Sequence, residues 1–138
     1  MTLFDTSVVI DARDPNSPFH EWAKQQIAKA VAADGAAVNT VVISEASVRV
    51  EKREHFARHL EEIGLTLLPL PVVAALPAAR SYAVYLDRLK AEGKTAKSKV
   101  PLGDFLIGAH AEAHGMKLVT RDPSRVSAYF PQVELIQP

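Results

Sequence analysis

Short apolar runs alternate along the chain with longer segments in which apolar residues recur at helical spacing. Buried strands of a parallel sheet are short continuous apolar runs, whereas amphipathic helices repeat apolar residues every three or four positions. The pattern predicts strands at residues 2–5, 36–39, 65–70, 117–120 and 132–136. Strands that alternate with helices in this way indicate an α/β fold with a mainly parallel five-stranded sheet.

Helices are predicted between these strands, at about residues 17–33, 40–48, 53–63, 72–92 and 101–114. Asn39 or Thr40 has the chemistry of a cap for the second of them. A glycine follows four of the segments, which is typical of a helix C-terminus. After the first strand, Thr6 or Ser7 is expected to begin a turn.

The composition is that of one globular domain spanning residues 1–138 with no linker. Of the 138 residues, 48% are hydrophobic, which is enough for a layered core. Sixteen Lys and Arg residues balance sixteen Asp and Glu residues, so any nucleic acid must be bound by a local basic patch and not by a global positive field. The absence of cysteine excludes disulfides, thiolate metal sites and cysteine nucleophiles. No apolar stretch has the length of a membrane span, and a cytoplasmic protein is expected.

The first predicted strand ends in an aspartate, within the apolar run Leu3–Ile10. A buried carboxylate costs several kcal/mol unless donors, a cation or a metal ion pair with it. Asp5 therefore requires a partner from elsewhere in the chain.

Other acidic residues follow later strands or begin later helices. In open parallel sheets, the carboxyl ends of the strands meet at one edge, where ligands bind. The residues expected at that edge are Asp5, Glu45, Asp104 and Asp122. Clustered carboxylates repel one another, and Mg²⁺ or Mn²⁺, which prefer oxygen ligands, would relieve that repulsion. Taken singly, three of these residues also have ordinary structural explanations: a helix N-terminus for Asp104, a turn for Asp122 and a solvated helix face for Glu45.

Four stretches together resemble the PIN domain, most closely the VapC-type toxin ribonucleases of toxin–antitoxin pairs: LFDTSVVID, SEASV, PLGDFLIGAHAEAHG and KLVTRDPSRVSAYFPQVELIQP. The similarity covers the whole chain in the same order. The resemblance implies a three-layer α/β/α fold and a Mg²⁺- or Mn²⁺-dependent endoribonuclease that hydrolyses RNA with metal-activated water. It also implies a homodimer and a small VapB-type antitoxin whose C-terminal segment wraps the toxin and blocks its site.

The resemblance also implies roles for individual residues. Asp5, Glu45 and Asp104 would hold the main metal directly or through water. Asp122, at the most variable of the family's acidic positions, would serve a second metal position or orient the nucleophile. Small hydroxyl residues beside the acids would orient a carboxylate or water, and they are Thr6, Ser7 and Thr120.

Several basic residues lie close in sequence to the acidic positions: Lys94, Lys97, Lys99 and Arg121. They are candidates for contacts with RNA phosphates, and solvated surface charge explains the lysines equally well.

Three other interpretations stay open. His110 and His114 have the spacing of a zinc pair, but the glutamate between them stands two positions after the first histidine, away from the water-activating position of zinc proteases. A PIN nuclease of RNA processing without a toxin role would share the same acidic residues. In a non-catalytic binding module, Asp5 and its neighbours would form only a hydrogen-bonded polar network.

Overall fold

Five parallel strands form one sheet in the order β3-β2-β1-β4-β5 in a computed structural model that describes residues 1–94 and 100–138. The strands are β1 Thr2–Phe4, β2 Ala36–Asn39, β3 Leu65–Leu68, β4 Lys117–Val119 and β5 Leu135–Ile136. Every neighbouring pair is parallel, with Leu3 opposite Ala37 of β2 and Leu118 of β4. The parallel five-stranded sheet expected from the sequence is confirmed.

Helices flank this sheet. They are α1 Thr6–Arg13, α2 His20–Ala32, α3 Thr40–Ser47, α4 Phe56–Glu62, α5 Ala75–Ala91, α6 Leu102–Ala113 and α7 Pro123–Tyr129. Short 3₁₀ turns at Arg53–His55 and Val72–Ala74 lead into α4 and α5. Among the described residues, none of these helices has the length and apolar character needed to cross a membrane.

Two helices were missing from the sequence interpretation. Residues 6–13 are rich in β-branched residues and continue an apolar run, so they do not show a clear helical period. The Asp5 side chain begins α1 by accepting a hydrogen bond from the Thr6 N–H. Helix α7 has Pro123 at its N-terminus, a position where proline suits a helix, but its sequence was interpreted as a turn.

The core lies on both faces of the central strand β1, where Leu3 and Phe4 are fully buried. Phe105 of α6 extends this core and contacts the rings of Tyr82, Tyr85 and Tyr129. Helix α6 therefore joins the sheet to α5 and α7, and it carries one of the predicted acidic residues into this junction.

A buried polar pair connects α3 with α6. The Asn39 Oδ1 caps α3 by accepting a hydrogen bond of 3.0 Å from the Val42 N–H, and its Nδ2 lies 3.1 Å from His110 Nδ1. Because the amide nitrogen can only donate, His110 Nδ1 accepts, which requires a neutral imidazole. Burial, and to a smaller extent His114, lower the pKa of His110 and favour the same form. The pair fixes the relative position of the two helices that carry Glu45 and Asp104.

We expect Asn39→Ala to lower the free energy of unfolding by about 2 to 3 kcal/mol, because it removes a helix cap and leaves His110 Nδ1 unpaired. Urea denaturation at pH 7.5 measures the change. Ser44→Ala is the matched control, since it removes an exposed hydrogen bond within the same helix and should change stability by less than about 0.5 kcal/mol. Equal effects of the two substitutions would show that the buried pair does not stabilise the fold.

Candidate active site

The carboxylate of Asp5 stands at the carboxyl end of the central strand β1, at the junction with α1. Its Oδ1 accepts a hydrogen bond of 2.7 Å from the Thr6 N–H, and its Oδ2 accepts one of 2.9 Å from the Thr120 hydroxyl. These donors are the partners that a carboxylate in an apolar run requires. They hold both oxygens of Asp5 at the sheet edge.

Thr120 connects two of the predicted acidic residues. It follows β4, is fully buried, and its N–H donates to the Ile136 carbonyl of β5 at 3.0 Å. Its hydroxyl donates to Asp5 and accepts a hydrogen bond of 3.1 Å from the Asp122 N–H. The position of Asp122 is therefore tied through Thr120 to that of Asp5.

Glu45 reaches the same edge from α3. Its Oε1 accepts a hydrogen bond of 2.6 Å from the Thr6 hydroxyl, and its Oε2 lies against the first turn of α6 at Gly103. A Cβ atom at position 103 would stand 3.0 Å from that oxygen, which is tighter than ordinary contact. The glycine thus leaves the space in which the Glu45 carboxylate lies next to Asp104.

Asp104 and Asp122 share one cation, Arg125 of α7. One guanidinium nitrogen lies 2.8 Å from Asp104 Oδ2, and the other lies 3.5 Å from Asp122 Oδ2. Asp5, Asp104, Asp122 and Arg125 border a common cavity of about 20 Å³, whose remaining wall is mainly apolar. Three of the four predicted acidic residues therefore meet at one cavity, and Glu45 adjoins them through Thr6 and Gly103.

The surroundings of Asp5 and Asp104 disfavour the charged form of these two carboxylates. Burial raises the pKa of Asp5, although the hydrogen bonds from Thr120 and Thr6 and the charge of Arg125 oppose the shift. Burial also raises the pKa of Asp104 to about 6. The charge of Asp5 adds to this increase, Arg125 opposes it, and Glu45 and Asp122 contribute further repulsion.

The donor set fits a hard divalent cation in its chemistry, because it consists of carboxylate and hydroxyl oxygens whose mutual repulsion a cation would relieve. The space at Gly103 that admits Glu45 beside Asp104 supports the same fit. As the side chains stand, no group of three or more acidic or histidine residues within 1–94 and 100–138 is arranged to hold a metal ion. Arg125 supplies positive charge to two of the carboxylates instead.

Of the remaining predicted residues, Arg121 and Lys94 pair with acids outside the acidic cluster. Ser7 is half-buried in the first turn of α1, beside Thr6. The Nε of Arg121 lies 2.9 Å from Asp11 Oδ2, and its guanidinium covers the ring of Phe19. Lys94 pairs with Glu92 at 3.1 Å. Lys97 and Lys99 fall outside the described residues.

Sequence reasoning missed Arg125. Arg125 stands three positions after Asp122 in the sequence. A helix beginning at Pro123 brings residues with this spacing to the same helical face, where oppositely charged side chains pair. In the described part of the chain, His110 and His114 do not belong to a group of three or more residues that could hold a metal ion. His110 is instead engaged by Asn39.

The model of the PIN domain family matches residues 2–129 of this chain. A comparison with curated proteins gave no match. Among solved structures, VapBC2 from Rickettsia felis, bound to a DNA fragment of its promoter, is similar with a TM-score of 0.70 and 15% identity, covering 99% of this chain and 98% of the other. A toxin–antitoxin complex from Klebsiella pneumoniae gives a TM-score of 0.65 and 23% identity, over 100% and 98%.

A third similar structure is VapC20 from Mycobacterium tuberculosis, described as a toxin that cleaves the sarcin-ricin loop. Its TM-score is 0.64 at 13% identity, over 96% of this chain and 98% of the other. At these identities the likeness concerns the fold, and it extends over nearly the whole of each chain.

We expect Asp104→Asn to stabilise the metal-free protein at pH 7.5 but not at pH 4. The pKa of Asp104 is raised from 3.8 to about 6, so folding favours the protonated carboxyl and the wild type loses this stability as pH rises through 6. Asparagine does not titrate, and the gain should reach the order of 1 kcal/mol, or about 3 °C in Tm. Thermal melts in chelator across this pH range measure it.

Asp87→Asn is the control, because Asp87 is an exposed carboxylate on α5. The difference in Tm between this variant and the wild type should be the same at pH 4 as at pH 7.5. A pH-independent difference for Asp104→Asn as well would contradict the repulsion among the carboxylates.

Proposed function

The chain belongs to the PIN domain family, and on that premise we propose that it is a metal-dependent endoribonuclease acting as the toxin of a type II toxin–antitoxin pair. The observation that carries the proposal is the meeting of acidic side chains at the carboxyl edge of the sheet. Asp5, Asp104 and Asp122 border one cavity, and Glu45 is held beside them. Carboxylates that repel one another in this way are suited to a divalent cation and a phosphodiester substrate.

Mg²⁺ or Mn²⁺ is the proposed cofactor. Asp5, Glu45 and Asp104 would hold the ion directly or through water, with Asp122 at a second position or orienting the attacking water. When bound, such an ion lowers the pKa of a coordinated water and stabilises the charge that develops on the attacked phosphate.

The remaining side chains act by positioning. The Thr120 hydroxyl and the Thr6 N–H fix both oxygens of Asp5, and the Thr6 hydroxyl fixes Glu45. Asp122 is the most exposed of the acids, so it can reach the water that attacks the phosphate. Ser7, one residue further into α1, is proposed as a supporting hydroxyl. Hydrolysis by water requires no covalent intermediate on the protein.

The toxin role is proposed from the similar solved structures, which include toxin–antitoxin complexes. A groove of about 690 Å³ is lined in part by Glu45, and most of its other lining residues are apolar ones from α1, from the end of α3 and from the residues that follow it, together with Arg13 and Arg49. A segment of a VapB-type antitoxin that lay in this groove would reach the acidic cluster and block it. RNA as substrate and a protein antitoxin as partner are consistent with a cytoplasmic location.

A homodimer is proposed as well. Val72, Val73 and Leu76 form an exposed apolar patch at the start of α5, which a second copy of the chain would cover. The RNA contacts proposed for Lys94, Lys97, Lys99 and Arg121 remain part of the proposal. Arg121 would keep its pairing with Asp11 while presenting its exposed part to a phosphate.

We expect the purified protein, freed of any bound antitoxin, to cleave labelled RNA with Mg²⁺ or Mn²⁺ and to lose cleavage in chelator. Asp5→Asn should reduce the rate by at least about 100-fold, because it removes a charge from the acidic cluster, while its amide oxygen can still accept one of the two hydrogen bonds that Asp5 accepts. Asp87→Asn should cleave as the wild type does. Gel analysis of the products over time measures the cleavage rates of the wild type, Asp5→Asn and Asp87→Asn.

The outcomes separate the alternatives. Cleavage that persists in Asp5→Asn would contradict the assignment of the acidic cluster. A folded wild type that cleaves no RNA with either metal would favour the non-catalytic polar network, in which Arg125 already pairs with two of the acids.

Binding of the cation has a readout that does not depend on cleavage. With free Mg²⁺ at about 100 times its Kd, the folded wild type should gain about 2.7 kcal/mol, seen as a rise in Tm. Asp104→Asn should reduce this rise strongly, and Asp87→Asn should preserve it. Melts in MgCl₂, compared with NaCl at equal ionic strength, measure the effect, and an equal Mg²⁺ response in all three proteins would place the binding elsewhere.

A further inference from the structure

A further pocket lies next to the acidic cluster, and residues of α5 and α7 form most of its described lining. We call it the α5–α7 pocket, and the residues that define it are Tyr85, Arg88, Glu92, Lys94, Arg125 and Tyr129. Its volume of about 480 Å³ is within the range of pockets that bind small ligands. None of the roles assigned above to the acidic residues requires this pocket.

Arg125 connects the pocket to the acidic cluster. Its guanidinium contacts Asp104 and Asp122, and the same side chain lines the pocket. An RNA strand whose phosphate lies at the acidic cluster would therefore place a neighbouring nucleotide in the pocket.

The chemistry of the pocket suits a nucleotide. Among the described residues, three cations line it, namely Arg88, Lys94 and Arg125, with one carboxylate, that of Glu92. Lys94 pairs with Glu92 at 3.1 Å, and Arg125 pairs with the acidic cluster. The Arg88 guanidinium carbon lies 5.0 Å from the centre of the Tyr129 ring, and Arg88 is exposed. A guanidinium plane on a tyrosine ring is a surface on which bases of single-stranded RNA stack.

The walls of the pocket are held in place by packing. Tyr129 and Tyr85 each contact Phe105 of α6, with ring centres 5.2 Å apart in both pairs. The Tyr85 hydroxyl accepts a hydrogen bond of 2.8 Å from the Val100 N–H, and the Tyr82 hydroxyl donates one of 3.0 Å to the Val100 carbonyl. The aromatic surface is thus fixed relative to α6, which carries Asp104.

We propose that the α5–α7 pocket binds one nucleotide of single-stranded RNA, adjacent to the scissile phosphate, with its base stacked on the Arg88–Tyr129 pair. Lys94, which also lines the pocket, contacts the phosphate of that nucleotide. The inference rests on the proposed ribonuclease function and adds a subsite to it. The base is recognised by its face, so the pocket contributes affinity and positioning with little sequence preference.

The test measures RNA binding in the Asp5→Asn background, where the substrate is not consumed. A short unstructured RNA of mixed sequence, end-labelled with fluorescein, is titrated with protein and followed by anisotropy. Arg88→Gln should weaken binding by roughly tenfold, because it removes a stacking surface and a cation. Arg80→Gln is the matched control, since it removes the same charge from an exposed position on α5 outside the pocket, and it should change the Kd by less than about twofold.

A second arm locates the base. In a series of RNAs, one abasic nucleotide is moved stepwise past the bond that the wild type cleaves. In the Asp5→Asn protein, the abasic nucleotide should weaken RNA binding at one position next to that bond. When Arg88→Gln is added, an abasic nucleotide at that position should weaken binding no further than the substitution alone does. In the cleaving background, Arg88→Gln should raise KM more than it lowers kcat.

The outcomes distinguish this inference from the proposed function. Cleavage by the wild type with equal binding by Arg88→Gln and Arg80→Gln would overturn the pocket and leave the ribonuclease intact. Equal abasic penalties with and without the Arg88→Gln substitution would also overturn it. A wild type that cleaves no RNA would overturn the ribonuclease, and the anisotropy titration would still report whether Arg88 contributes to RNA binding.

Discussion

The structure depends on the largely buried carboxylate of Asp5 at the end of the central strand. Its two oxygens accept hydrogen bonds from the Thr6 N–H and the Thr120 hydroxyl, so the carboxylate joins β1, α1 and the end of β4. These hydrogen bonds do not fully compensate for desolvation, because burial still raises the pKa of Asp5. An unfavourable charge is thus kept where the strands end, and the neighbouring side chains are arranged around it.

The electrostatic balance at this edge explains the position of Arg125. Burial, and after it the negative charges of the three neighbouring acids, raise the pKa of Asp104 to about 6 even though Arg125 lies 2.8 Å away. One arginine is therefore too little positive charge for the cluster. A further cation at this site would relieve the deficit, which is the physical basis of the proposed metal-dependent chemistry.

The sequence was sufficient for the sheet and for the placement of the acids, because in a parallel sheet all strand ends meet at one edge. It was insufficient where the local pattern was ambiguous. The β-branched residues of α1 hide its helical period, and without α7 nothing oriented Arg125 toward Asp122. The direction of a long side chain is equally hard to infer, as Arg121 shows: it lies two residues after β4 and next to Asp122 in sequence, yet it pairs with Asp11 and covers Phe19.

Catalysis and binding by separate helices require those helices to keep their positions to within a fraction of an ångström. Apolar packing alone tolerates small shifts of one helix along another, whereas a buried hydrogen bond is lost by such a shift and leaves unpaired polar groups. The Asn39–His110 pair fixes α3 against α6, and the two tyrosine hydroxyls on Val100 fix the start of α6 against α5. These contacts lie on either side of Asp104. We infer that they set the distances among Glu45, Asp104 and the α5–α7 pocket more sharply than the surrounding apolar core could.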